Sequence, residues 1–136
     1  MTTPTGRGLP ATGLHLIYTD DGKHMYGYSG GVECDDTETD LINAITGPAP
    51  IRAHVVFSYF ETTQGDNIRY RIRLGEGGNI DNVIWEFTVD HSLAQYQYPA
   101  SIHVILPHTT RVRLTAQNAT DTSSQLNGCM ITGKTV

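Results

Sequence analysis

The run from Ile68 to Leu74 restricts this chain more than any other segment. Ile68, Tyr70, Ile72 and Leu74 alternate strictly with Arg69, Arg71 and Arg73. A period of two with one apolar face is what a half-buried strand requires, whereas a helix would scatter the arginines around its circumference. Val112, Leu114 and Ala116 repeat the pattern against Arg111, Arg113 and Thr115. If the two strands share a sheet, it has an apolar inner face and a cationic outer one.

The remaining strand signals follow the same logic. His24 to Ser29 is short and tyrosine-rich, and Gly30-Gly31 follows it. Leu41 to Ile45 stops at Gly47-Pro48-Ala49-Pro50, a strong breaker. Arg52 to Glu61 carries apolar groups on both faces, Ala53, Val55, Phe57 and Tyr59 against Val56 and Phe60. That pattern predicts cover on both sides, the outer one from a neighbouring subunit. After a glycine-rich turn at Gly75-Glu76-Gly77-Gly78-Asn79, the alternation predicts Val83, Trp85, Phe87 and Val89 on an inner face, with Ile84, Glu86, Thr88 and Asp90 opposite. Ile102 to Leu106 is stopped by Pro107, and a last strand spans Gln125 to Thr132. This makes about eight antiparallel strands with no helical periodicity, hence an all-β single jelly roll or β-sandwich. The abundance of turn formers, 14 glycines and 6 prolines in 136 residues, agrees with many short strands.

Residues 1–13 hold two prolines and three glycines but almost no apolar content. They read as a flexible N-terminal arm, with the domain running from 14 to 136. The start lacks the apolar core of a secretory signal, and no stretch approaches the ~18 apolar residues of a membrane helix. These features predict a chain made in a cytoplasm and kept there, or released by lysis or inside a particle. The net charge of -5 argues against direct binding of nucleic acid. Cys34 and Cys129 could pair, though a reducing compartment favours two free thiols. Without a secretory route, the glycosylation pattern Asn118-Ala119-Thr120 reads as chance.

No constellation for catalysis emerges, and no cofactor is implied. The six histidines, His15, His24, His54, His91, His103 and His108, contain no His-x-His pair and no tight ligand spacing. The acidic residues Asp20, Asp21, Glu33, Asp35, Asp36, Glu38 and Asp40 sit among threonine and glycine and read as turn formers. Tyr28-Ser29-Gly30-Gly31 is not a nucleophile elbow. The arginines are more informative. Arg69, Arg71, Arg73, Arg111 and Arg113 predict five cations on one outer surface if their strands share a sheet. One reading is docking onto an acidic partner. The other is a solvated face with cross-strand partners such as Glu86 or Asp90.

Several phrases resemble small jelly-roll structural proteins of tailed bacteriophages. Tyr26-Gly27-Tyr28-Ser29-Gly30-Gly31 precedes Thr37-Glu38-Thr39-Asp40-Leu41-Ile42, and Phe57-Ser58-Tyr59-Phe60 follows in a long strand. Ile105-Leu106-Pro107 then leads through Thr109-Thr110 into Arg111-Val112-Arg113-Leu114-Thr115-Ala116-Gln117-Asn118. The resemblance covers roughly residues 24 to 133 and departs at His108, where some relatives carry a second proline or a glycine. It implies a head decoration (cement) protein, commonly a homotrimer, that binds the major capsid protein and bridges capsomers on the virion surface after assembly in the host cytoplasm. Arg7 in the arm and the five strand arginines are the contact residues this reading selects. The alternative is a receptor- or glycan-binding fibre knob, with Tyr96 and Tyr98, flanked by Gln95 and Gln97, stacking on host surface sugars. A jelly-roll enzyme acting on a polysaccharide or small molecule is the third reading.

Overall fold

The computed structural model describes residues 16–61, 66–75, 82–90 and 100–136. The arm, Arg7, His15, His91 and the Gln95–Tyr98 segment lie outside them. The described residues form ten strands and no helix. They are β1 (Ile17–Tyr18), β2 (His24–Tyr28), β3 (Val32–Cys34), β4 (Thr39–Ile45), β5 (Ile51–Glu61), β6 (Asn67–Gly75), β7 (Asn82–Asp90), β8 (Ala100–Leu106), β9 (Arg111–Asn118) and β10 (Gln125–Thr135). All pairings are antiparallel. The eight expected strands are all present. β1 and β3 are additional, and at two and three residues they are too short to show a period in sequence.

Two sheets face each other as a jelly-roll sandwich. The first has the order β1-β2-β10-β5-β8, with β3 also paired to β10. The second has the order β4-β9-β6-β7. Phe57 of β5 stacks on Tyr70 of β6 at 4.8 Å between ring centroids and on Trp85 of β7 at 5.6 Å. β5 therefore lies over β6 and β7, and β8 shares the outer edge of the sandwich with β7.

The core comes from the inward positions of both sheets. Ile68, Tyr70 and Ile72 are buried as the alternation predicts, opposed by Ala53, Val55, Phe57, Cys129 and Ile131. Each large side chain sequestered this way contributes on the order of 1.5–3 kcal/mol. Tyr70 keeps its hydroxyl satisfied by donating to Asn127 Oδ1 at 2.9 Å. At Gly133 a Cβ would run into Ile51 Cγ2 and the Arg52 carbonyl, so only glycine permits this approach of β10 to β5.

Two irregularities matter for the surfaces. β2 and β3 lie end to end along the same side of β10, with Tyr28 opposite Met130 and Val32 opposite Asn127. The extra residue between them is accommodated at Gly30, which has φ 67°, a conformation that suits glycine. On β7, a register shift between Ile72 and Arg73 sets Val83 opposite Arg73. This corrects the expected inner face. Val89 is buried, Trp85 is half-buried, and Val83 and Phe87 are exposed. The shift moves Val83 out of the inward set, and β7 is the last strand of its sheet.

Candidate functional site

The outer face of the β4-β9-β6-β7 sheet gathers the five predicted strand arginines. β6 and β9 are neighbours, with Arg73 directly opposite Arg113 and Arg71 opposite Thr115. Such a pairing of like charges repels unless anions intervene, and they do. Glu38 accepts from Arg71 Nη1 at 2.6 Å, from Arg73 Nε at 2.6 Å and Nη2 at 2.9 Å, and from the buried Thr115 hydroxyl at 2.8 Å. Arg71 also donates to Glu86 at 2.6 Å. Arg113 donates to Asp40 at 2.8 Å, and Arg111 donates to the Asn43 side-chain oxygen at 2.6 Å. The Arg73 guanidinium, with Thr115 and Arg71, holds the Glu38 carboxyl at about 2 despite its partial burial.

The expectation of five cations on one face is met. The picture of them as free docking charges is not, because Glu38, Asp40 and Glu86 neutralise Arg71, Arg73 and Arg113 within the chain. Glu86 was a foreseen cross-strand partner. Glu38 and Asp40 are not the turn formers that their polar surroundings predict. The structure places Glu38 immediately before β4 and Asp40 within it, across β9 from Arg71 and Arg73 of β6 and beside Arg113 of β9. Asp21 and Asp35 do serve as turn formers, accepting from the backbone amides of Lys23 and Thr37. Arg69 and Arg111 have no carboxylate partner among the described residues.

The outer face of the other sheet is chemically different. Register aligns three rows across β2, β10, β5 and β8. They run His24–Lys134–Arg52–Ile105, Tyr26–Thr132–His54–His103, and Tyr28–Met130–Val56–Ser101. No carboxylate occupies any of these positions. Asp21, in the turn before His24, and Glu33 of β3 border them. Tyr26 (43% exposed), Tyr28 (40%), Met130 (42%) and Ile105 (60%) stand open to solvent. The rings of His54 and His103 stack at 4.2 Å and 8°. Neither histidine is near the other in sequence, so only strand pairing brings them together.

Groups that could support chemistry are otherwise sparse. No cluster of three metal-ligating side chains occurs among the described residues. Cys34 and Cys129 are both buried and unpaired. Burial pushes the Cys34 thiol up to about 11 and raises Cys129 further, the opposite of an activated thiolate. Asn118 is buried, and its amide nitrogen is held by Asp66, Asp121 and the Ser123 carbonyl at 2.9–3.3 Å. That leaves no acceptor nitrogen accessible for glycosylation.

Comparison with known proteins places the architecture. The chain matches no protein-family model and no curated protein. Among solved structures, it is similar to a crystal structure of the infectious bursal disease virus VP2 subviral particle, with a TM-score of 0.55, 9% identity and 83% of this chain covered. It is similar to the Gx strain of the same virus at 0.51, with 12% identity and the same coverage. A Bacillus endospore appendage that forms disulfide-linked pili matches at 0.50, with 9% identity, covering 84% of this chain and 89% of the appendage chain. The chain spans about a third of the length of the VP2 chains, at 33% and 32%. These likenesses define a jelly-roll β-sandwich.

Proposed function

We propose that this protein is a structural subunit of a virus particle, a decoration protein that binds the outer surface of the head and bridges neighbouring shell subunits. The observation that carries the reading is the open face of the β1-β2-β10-β5-β8 sheet. A rigid sandwich presents tyrosine, methionine and isoleucine side chains there, with cations and no carboxylate in its three aligned rows, a composition suited to protein contact. The likeness in fold to VP2 supports a virion role, and the bacteriophage resemblance supports decoration over shell building. The partner is the major capsid protein, and the place of action is the virion surface. Contact by Arg7 of the arm, and by Arg69 and Arg111, which lack carboxylate partners among the described residues, belongs to the same proposal. So does a role for Arg71, Arg73 and Arg113 in holding that face flat. Many modest contacts per particle would add through multivalency, with no catalytic step.

Quantitative mass spectrometry of purified particles from the source tests this. Hundreds of copies relative to the major shell protein are expected. A complete absence would overturn the virion reading, and a handful of copies would replace decoration with a fibre or tail knob. The knob reading has one observation in its favour, the exposed Tyr26 and Tyr28, which could stack on sugar rings.

A further inference from the structure

We propose that the sandwich core holds internal water at its β3 end, bonded to the side-chain amides of Gln125 and Asn127. The inference concerns the interior of the sandwich and is independent of the virion reading.

Gln125 and Asn127 are consecutive inward positions of β10, in the row that continues with Cys129 and Ile131. The row is apolar at one end and amide at the other. Gln125 is 2% exposed and Asn127 0%, so bulk solvent reaches neither. Gln125 Oε1, Gln125 Nε2 and Asn127 Nδ2 nevertheless have no hydrogen-bond partner among the described residues. Asn67 Oδ1 and Arg69 Nε also lack one, but they belong to half-buried residues on the outward side of β6, close to solvent. The two amides of β10 are the orphans that lie inside the core.

The neighbouring polar groups are already committed. The Tyr70 hydroxyl donates to Asn127 Oδ1 at 2.9 Å. Cys34 lies opposite Gln125 on β3, but its thiol donates to the Val32 carbonyl at 3.5 Å, and sulfur is a weak acceptor. Burial raises the Cys34 thiol and the Asn127 amide partly offsets it, so that amide lies near the sulfur, yet Nδ2 makes no bond to it. On β9, beside Tyr70 and Ile68, the inward positions are Ala116 and Asn118. Ala116 offers only a methyl group. The Asn118 amide nitrogen is taken by Asp66, Asp121 and the Ser123 carbonyl. The Asn118 backbone N–H donates to the Asp35 carbonyl at 2.8 Å, which ties the end of β9 to the end of β3 and closes this part of the core.

A buried donor or acceptor without a partner costs its full desolvation, so two such amides in one inward row point to a ligand. The unmet groups are of both kinds, amide N–H and carbonyl oxygen. An anion would satisfy only the first and a cation only the second. Water both accepts and donates, in the smallest volume. Inward neighbours on one strand stand about 7 Å apart, a span that water between two amides bridges with two hydrogen bonds of about 2.9 Å. Cys34 and Ala116 are short side chains, and they leave room beside the amides.

Magnetic relaxation dispersion of the water oxygen, measured on the full chain, tests the site. It detects water held far longer than at the surface, and reading oxygen keeps exchange of the Tyr70 hydroxyl proton from imitating a bound water. The wild type should show such a dispersion. Gln125→Met keeps the length of the side chain and removes both polar atoms, so the amplitude should fall by about one water per chain or more. Circular dichroism checks that the variant folds, and Gln125→Leu replaces it if it does not. A wild type without dispersion overturns the site, and so does a folded variant whose amplitude is unchanged. A crystal structure of the wild type answers without any variant. Water density within hydrogen-bond reach of Gln125 Oε1, Gln125 Nε2 and Asn127 Nδ2 is the expected result. Amides that pair directly with each other, or that touch only carbon, overturn the inference.

Discussion

The two outer faces of the sandwich are built from the same kind of strand and finished in opposite ways. On the β4-β9-β6-β7 sheet, Glu38, Asp40 and Glu86 pair with Arg71, Arg73 and Arg113 and convert their repulsion into a bonded lattice. On the β1-β2-β10-β5-β8 sheet, Lys134 and Arg52 face each other with no anion in their row, beside open tyrosines and a methionine. On the first face three of the five arginines find their anions within the chain. On the second, the paired cations have no anion in their row. The lesson is that a count of cations does not identify a docking surface. What identifies it is whether the chain supplies their partners.

Removing the Glu38 carboxylate should break that contrast most strongly. Glu38→Ala should cost about 2 kcal/mol in denaturant unfolding, between the values for exposed and buried ion pairs, because it removes the acceptor that Arg71, Arg73 and Thr115 share. The same group predicts a pH response. Its folded value, about 2, lies below the ordinary 4.5, so its stabilisation is full above pH 4.5 and is lost as pH falls towards 2. Glu38→Gln should flatten the stability profile across that window, while the wild type slopes downwards. Asp40→Asn, which keeps a weaker acceptor for Arg113, should cost about 1 kcal/mol by the same measurement. On the opposite face, Arg52→Glu should change monomer stability by less than about 0.5 kcal/mol or improve it slightly, because it places an anion beside Lys134. A loss above about 2 kcal/mol there would show that the face is internally satisfied after all, and the contrast would collapse.

Much of the fold was legible in the chain. Ile68 to Leu74 declared its strand and both its faces, because apolar side chains at a period of two have only one way to be buried together. Pro107 and Gly47-Pro48 marked real strand ends. The long strand from Arg52 showed apolar groups on both sides. The structure buries Ala53, Val55 and Phe57 and leaves Val56 half-covered on the open face. The site was less legible. Glu38 looked like a turn residue because it sits in a polar stretch, and its partners lie 33 and 35 residues away. The stacked His54 and His103 had no local signal at all.

The sequence alone determined the eight longer strands, most of their inward faces, the sandwich class and the outward side of the arginines on β6 and β9, because alternation and turn chemistry act over a few residues. Only the tertiary structure decided which carboxylates neutralise those arginines, which face stays open and where β7 slips its register. These depend on strand order and pairing between segments far apart in the chain, and no local pattern encodes a neighbour that distant.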